Sequence, residues 1–282
     1  TAAGNAMASL PEWALALEAW GLDERALLAG LACFFVQCVA WIIFRYALPD
    51  GPWRAEPGFT AHQLVALPLM VTFTYLGMHG WFFEPTPPTA AARILGTHAT
   101  GRLLTQLVIG ELLFWDTPTG FTVKTLRDPL MLVHHIAMLL VAMAGQTTYS
   151  YYGCCFFGVI ELSGIPLVVV DLFHPKHKQW TQLAHSNSAI EAVNNGARAL
   201  FAALYMLVRA FYFPYVVFTQ VLPDAWAVYS LPAAERASAS TFALLFIPTF
   251  GVLFSLLQWY WASLIARQVA KLLAPDHKPK HQ

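Results

Sequence analysis

Two adjacent histidines, His134 and His135, sit inside a run, Asp128 to Ala144, that otherwise reads as a membrane span. Imidazole is costly to bury in hydrocarbon, and ionisable residues within spans usually face a polar cavity and mark a functional site. Histidine is also the side chain best suited to moving protons near neutral pH. The pair lies six and seven residues past Asp128, roughly 10 Å into the membrane at 1.5 Å per residue. That depth suits a reaction fed by a head group or cofactor from one face, with a lipid tail in the bilayer. Successive helical residues point about 100° apart, so one imidazole faces the cavity squarely and the other orients it or bonds to a neighbouring helix. The same divergence argues against haem or metal ligation by the pair, because a metal draws ligands from i and i+4 or from separate helices.

Other polar residues recur at helical spacing within apolar stretches. His98, Arg102, Thr105 and Gln106 share one face, with Glu111 and Asp116 further along. Glu161, Ser163 and Asp171 form a second group, and Asn195, Arg198, Tyr205 and Arg209 a third. Isolated charges in hydrocarbon are expensive, so these faces are expected to converge on one cavity or to pair with one another. Arg102 and Arg209 are read either as ion-pair partners of Glu111 or Glu161 or as head-group contacts. Glu161, Ser163, Arg209, Arg102, Glu111 and Asn195 are therefore the candidate substrate-binding residues. His98 reads as structural. His174, His177, His277 and His281 read as solvated, and the Tyr149 to Tyr152 cluster as an interfacial anchor.

The elements that must position these residues are helices. The chain has 282 residues, 57% hydrophobic and 11% charged, against about 25% charged in soluble domains. Strands alternating over about ten residues, the signature of a membrane barrel, do not occur. The fold class is all-α, a polytopic transmembrane bundle with seven spans expected near 26–47, 60–83, 92–115, 128–145, 150–173, 194–217 and 240–272. The third is expected to stop before Asp116-Thr-Pro118, and Asp128-Pro129 is a favourable helix start. No broken helix pair of the transporter kind is read from the sequence.

Net charge is zero, which argues against nucleic acid as a partner. Arg45, Arg54, Lys124, Arg127, Lys176, Lys178, Arg267, Lys271, Lys278 and Lys280 fall on one side of this topology, and Arg25, Arg93 and Arg236 on the other. The positive-inside rule then places the N-terminus outside and the C-terminus in the cytosol. Trp53, Trp81, Trp115, Trp259, Tyr260 and Trp261 read as interface belts. Cys33, Cys38, Cys154 and Cys155 lack zinc spacing and read as apolar wall residues. The opening Thr-Ala-Ala-Gly-Asn-Ala lacks an intact signal peptide and fits a trimmed precursor end.

The order of features resembles the TLC family of membrane proteins, which includes the ceramide synthases. The matching residues are Phe114-Trp115-Asp116, then Asp128, the His134-His135 pair, Glu161 and Ser163 with Pro166, and Phe201, Arg209 and Pro214. An aromatic patch, Gln258-Trp-Tyr-Trp261, and a basic tail follow. The resemblance is read over 60–272, and divides the chain into an N-terminal segment with one helix (1–59), a TLC-like domain (60–272) and a polar tail (273–282). It implies six helices around a lipid-accessible cavity, one peripheral N-terminal helix, and an endoplasmic-reticulum home. It also implies acyl transfer from acyl-CoA to a lipid amine or hydroxyl. His134 or His135 would be general base or transient acyl acceptor, and Asp116 and Asp128 would orient or tune the imidazole. The aspartate-rich run of the ceramide synthases is reduced here to one carboxylate, Glu161, so the chain is closer to the small TLC-domain proteins. No bound cofactor or metal is expected, acyl-CoA being a co-substrate. The competing expectations are a lipid-binding protein without turnover and a structural subunit of a larger membrane complex or homo-oligomer.

Overall fold

In the computed structural model, residues 22–236 and 239–273 are described. Residues 1–21 and the tail from 274, with His277, His281, Lys278 and Lys280, lie outside them, so the expectations for both termini stand where they were. Nine helices follow in order: α1 (Glu24–Ala47), α2 (Pro57–Phe82), the short α3 (Ala90–Leu95), α4 (99–122), α5 (Pro129–Gly145), α6 (Ser150–Leu172), α7 (Lys178–Ser186), α8 (Ser188–Tyr229) and α9 (Thr241–Leu273). There is also a single turn at Pro52–Ala55. Among the described residues there is no strand. The all-α polytopic reading holds.

Five helices, α1, α2, α6, α8 and α9, are long and apolar enough to cross a membrane. α5 is apolar but shorter, 17 residues. α4 has the length but not the apolarity, because Arg102, Gln106, Glu111 and Asp116 punctuate it. Five candidate spans and the shorter α5 thus answer to six of the seven spans expected, and α4 occupies the place of the third. Cap residues fix several ends. Asp23 accepts backbone N–H bonds from Arg25 and Ala26 at the start of α1, and Asp128 from Leu130 and Met131 at the start of α5.

Three boundaries differ from expectation, each with a local cause. The third pass begins at Ala99 rather than 92, because His98 caps the helix and a separate turn of helix, α3, ends before it. It also runs past Asp116 and Pro118 to Thr122. A π-turn at Leu112–Asp116 re-registers the backbone just before the proline, which falls in the first turn of the following α segment. The sixth pass is far longer than 194–217, with 42 residues from Ser188 to Tyr229, or roughly 60 Å at 1.5 Å per residue.

α6 is one path but not one helix. It breaks at Gly158, continues as a 3₁₀ segment at Val159–Ser163, and resumes at Gly164–Leu172. Gly158 meets Gly77 of α2 backbone to backbone, so a Cβ on either would strike the other's Cα. Irregular backbone at membrane depth is tolerated where protein buries it.

Helices α4, α5, α9, α8 and α6 form a ring, each packed on the next, with α6 closing onto α4. α2 lies across α4 and α6, and α1 packs on α4 and α2. α1 approaches α4 through Gly30 and Gly110, where a Cβ would run into the facing backbone. The end of the bundle holding Asp128 and the α6–α8 connection is called here the basic end.

Candidate functional site

Asp116 is the hub of the site. The π-turn that ends in it sits about one and a half turns from the basic end of α4, level with the start of α5. His135 Nδ1 lies 3.1 Å from Asp116 Oδ2. The other carboxylate oxygen, Oδ1, lies 2.9 Å from Nε2 of His62 on α2. Both imidazoles and the carboxylate are largely withdrawn from solvent. His62 stacks on Trp115, ring centroids 4.8 Å apart. The Trp115 indole N–H donates to Gln37 Oε1 at 3.3 Å, and Gln37 Nε2 donates to the Gly58 carbonyl at 2.9 Å. A chain of contacts thus runs from α1 to α5.

His134 points elsewhere, as helical geometry requires. Its ring is 5.2 Å from Phe254 and 5.9 Å from Trp261 on α9, and its Nδ1 is buried without a hydrogen-bond partner.

A second polar group lies deeper. Arg209, on the π-helical stretch Tyr205–Tyr212 of α8, donates through Nε to Ser163 Oγ (2.7 Å) and the Ile160 carbonyl (3.2 Å). Its Nη2 donates to Glu161 Oε2 at 2.8 Å. The 3₁₀ break in α6 presents these three acceptors together. Glu111, on the same helix as Asp116, is buried.

Between them and the far end lies an apolar pocket. Its walls are Met138 and Val141 of α5, Phe156 and Ile160 of α6, Phe213 of α8, and Phe254 of α9. Two of its wall residues touch polar side chains, Phe254 the ring of His134 and Ile160, through its carbonyl, Arg209.

The expected site residues divide accordingly. Asp116, His134, His135, Glu111, Glu161, Ser163 and Arg209 gather around one interior. Three do not. Asp128 is spent on capping α5 and is exposed. Arg102 is exposed and pairs with neither Glu111 nor Glu161, because its position on α4 faces out of the ring. Asn195 is exposed near the start of α8, more than three turns from Arg209.

Other expectations are corrected by burial. His177 is fully buried, its Nδ1 2.6 Å from Glu56 Oε2 and its ring stacked on Phe59 at 3.7 Å. Tyr149, Tyr151 and Tyr152 are core residues rather than an interfacial belt. Tyr149 takes a left-handed conformation (φ 60°) that lets its N–H reach the Ile94 carbonyl and starts α6. Trp81 and Trp115 are likewise buried. Cys33, Cys154 and Cys155 are free, buried wall residues as expected. His98 is structural, its Nδ1 accepting from Gly101 N–H.

His62 is the residue that sequence reasoning passed over. It lies near the start of α2 with only Gly58, Phe59, Val65 and Ala66 at helical spacing, and only the fold brings it to Asp116. At the opposite end, Glu84 sits in the loop after α2 between His79 and His98 and accepts from the Thr100 hydroxyl. That hydroxyl, with help from the two histidines, holds the Glu84 carboxyl below its usual range. Among the described residues no group of three or more His, Cys, Asp or Glu is arranged to hold a metal ion.

A ring of mostly apolar helices, five of them able to cross a membrane, defines a polytopic membrane protein. The TLC domain matches residues 21–267, and the chain belongs to that family. The match takes in α1, which the resemblance had left outside. Neither curated proteins nor solved structures give a significant match.

Proposed function

We propose that this protein transfers an acyl group from acyl-CoA to the amine or hydroxyl of a membrane lipid. The observation that carries the reading is Asp116 set between two imidazoles, His62 Nε2 at 2.9 Å and His135 Nδ1 at 3.1 Å. Nδ1 of His135 lies within ion-pair distance of Asp116, and a proton held there beside the carboxylate leaves Nε2 as the lone-pair nitrogen. Nε2 takes the proton of the lipid amine or hydroxyl as that group attacks the thioester carbonyl. The C–S bond then breaks, and the coenzyme A thiolate leaves with the proton that Nε2 returns. The acyl or lipid chain occupies the pocket walled by Met138, Val141, Phe156 and Phe254. The side bearing Arg45, Arg54, Lys124, Arg127, Lys176 and Lys178 is read as cytosolic, which puts the N-terminus outside; residence in the endoplasmic reticulum is part of the same reading.

A second reading, a lipid-holding protein without turnover, has the apolar pocket hold a chain with no group transferred, and Arg209 is no part of it. The Arg209 guanidinium is already satisfied by Glu161, Ser163 and Ile160, so it serves the fold more readily than a head group. Incubation of purified protein with isotopically labelled acyl-CoA and extracted lipids separates the two. Labelled N- or O-acyl lipid that disappears in His135→Ala supports the first, and retained unlabelled lipid without any labelled product supports the second.

A further inference from the structure

We infer that His62 is a positioning residue that sets the tautomer and orientation of His135 through the carboxylate they share. The inference deepens the acyl-transfer reading, on which its consequence for turnover rests, while its structural content does not depend on turnover.

An ionised carboxylate accepts hydrogen bonds and donates none. Nε2 of His62, hydrogen-bonded to Oδ1, therefore carries a proton, and so does Nδ1 of His135, 3.1 Å from Oδ2, because a lone pair there would face the anionic oxygen. The two rings take different oxygens. With His62 on Oδ1, the carboxylate is held at two points and cannot turn, so Oδ2 stays on His135. Without His62, one buried carboxylate oxygen would lose its donor, and the group would rotate or rehydrate to recover one.

His62 is itself well placed to hold rather than to react. Its ring is clamped on Trp115, which Gln37 fixes from α1, and its outward nitrogen, Nδ1, is buried with no partner. A nitrogen with no route to solvent or to a neighbour cannot relay a proton onward. The pair is asymmetric: His62 anchors the carboxylate, and His135 presents the free nitrogen. Partners that orient metal-ligating side chains change affinity or activity by about 10–100-fold, and a loss of turnover of that order is expected of His62→Phe.

The test is nitrogen NMR of protein labelled at histidine with ¹⁵N, in lipid nanodiscs, on wild type, His62→Gln and His62→Phe. In wild type, His62 is protonated at Nε2 and His135 at Nδ1, each as a single tautomer. The amide of His62→Gln still donates to Oδ1 and keeps His135 as it was. His62→Phe leaves His135 as a mixture of tautomers. A wild-type His62 protonated at Nδ1, or a His135 signal identical in wild type and His62→Phe, overturns the inference, and the first result needs no variant to fold. Turnover is measured on the same samples. The expected tautomers without any turnover in wild type would remove the acyl-transfer reading and leave the role of His62 standing. Wild-type turnover that is unchanged in His62→Phe would remove the consequence of His62 for turnover and leave the acyl-transfer reading standing.

Discussion

Nδ1 of His135 and Oδ2 of Asp116 stand 3.1 Å apart across the α4–α5 interface, whereas Nδ1 of the adjacent His134 is buried without a partner against Phe254 and Trp261. The two histidines are therefore not interchangeable. His135→Ala is expected to abolish acyl transfer, and Asp116→Asn, which leaves the shape intact but disturbs the tautomer, to lower kcat on the order of 10²–10⁴-fold. His134→Phe keeps the apolar contacts and is expected to cost less than tenfold. Steady-state rates on the three variants check the ranking.

Arg209 and Glu161 form an ion pair in a region poor in water, with Ser163 and the Ile160 carbonyl completing the set. Removing one partner of such a pair leaves an uncompensated charge, at a cost of about 3–5 kcal/mol. Arg209→Met or Glu161→Leu alone is expected to lower the unfolding temperature sharply. The double variant is expected to recover most of the loss, because it removes both charges together. Thermal unfolding in mild detergent reads all three.

Helix contacts through glycine predict opposite signs at two positions. A Cβ on Gly110 would run into the Ala26 carbonyl, so Gly110→Ala is expected to push α1 off α4 and destabilise by about 1–3 kcal/mol. Gly196 on α8 has nothing within 4 Å of where its Cβ would be, so Gly196→Ala is expected to stabilise by up to about 1 kcal/mol through helix propensity alone. The same unfolding experiment separates them.

Acid is expected to loosen the end opposite Asp128. Glu84 titrates below its usual 4.5 in the folded protein, chiefly because of the Thr100 hydroxyl. A carboxyl with a depressed folded value contributes stability that is fully present above the unfolded value and is lost as pH falls through the folded one. Stability should thus fall below about pH 4.5, and Glu84→Gln should show a shallower fall over that range. Melting temperature against pH, for both proteins, measures it.

Much of this arrangement was legible in the sequence, and particular residues show why the rest was not. Apolar runs ended by proline or capped by Asp128 gave the passes, since hydropathy and capping are local. Arg209 was readable as needing a carboxylate partner, Glu111 or Glu161, because an intramembrane charge demands one, and the fold chooses Glu161 and adds Ser163. Where the backbone departs from the α-helix, local rules failed. The π-turn at Leu112–Asp116 carried α4 past a proline, and the break at Gly158 came from a backbone contact with Gly77 far away in sequence. Arg102 was assigned inward because periodicity says which residues share a face, not which way the face points. His62 was invisible because its partner, Asp116, is on another helix, and His177 looked solvated because Glu56 and Phe59, which bury it, are equally distant in the chain.

The most direct measurement is mass spectrometry of lipids after wild-type, His135→Ala and Asp116→Asn proteins are incubated with isotopically labelled acyl-CoA and a membrane lipid extract. Acyl transfer at His135 predicts a labelled N- or O-acyl lipid from wild type, none from His135→Ala, and a small fraction from Asp116→Asn. Equal product from wild type and His135→Ala, or no labelled lipid from a folded, lipid-bearing wild type, would contradict it.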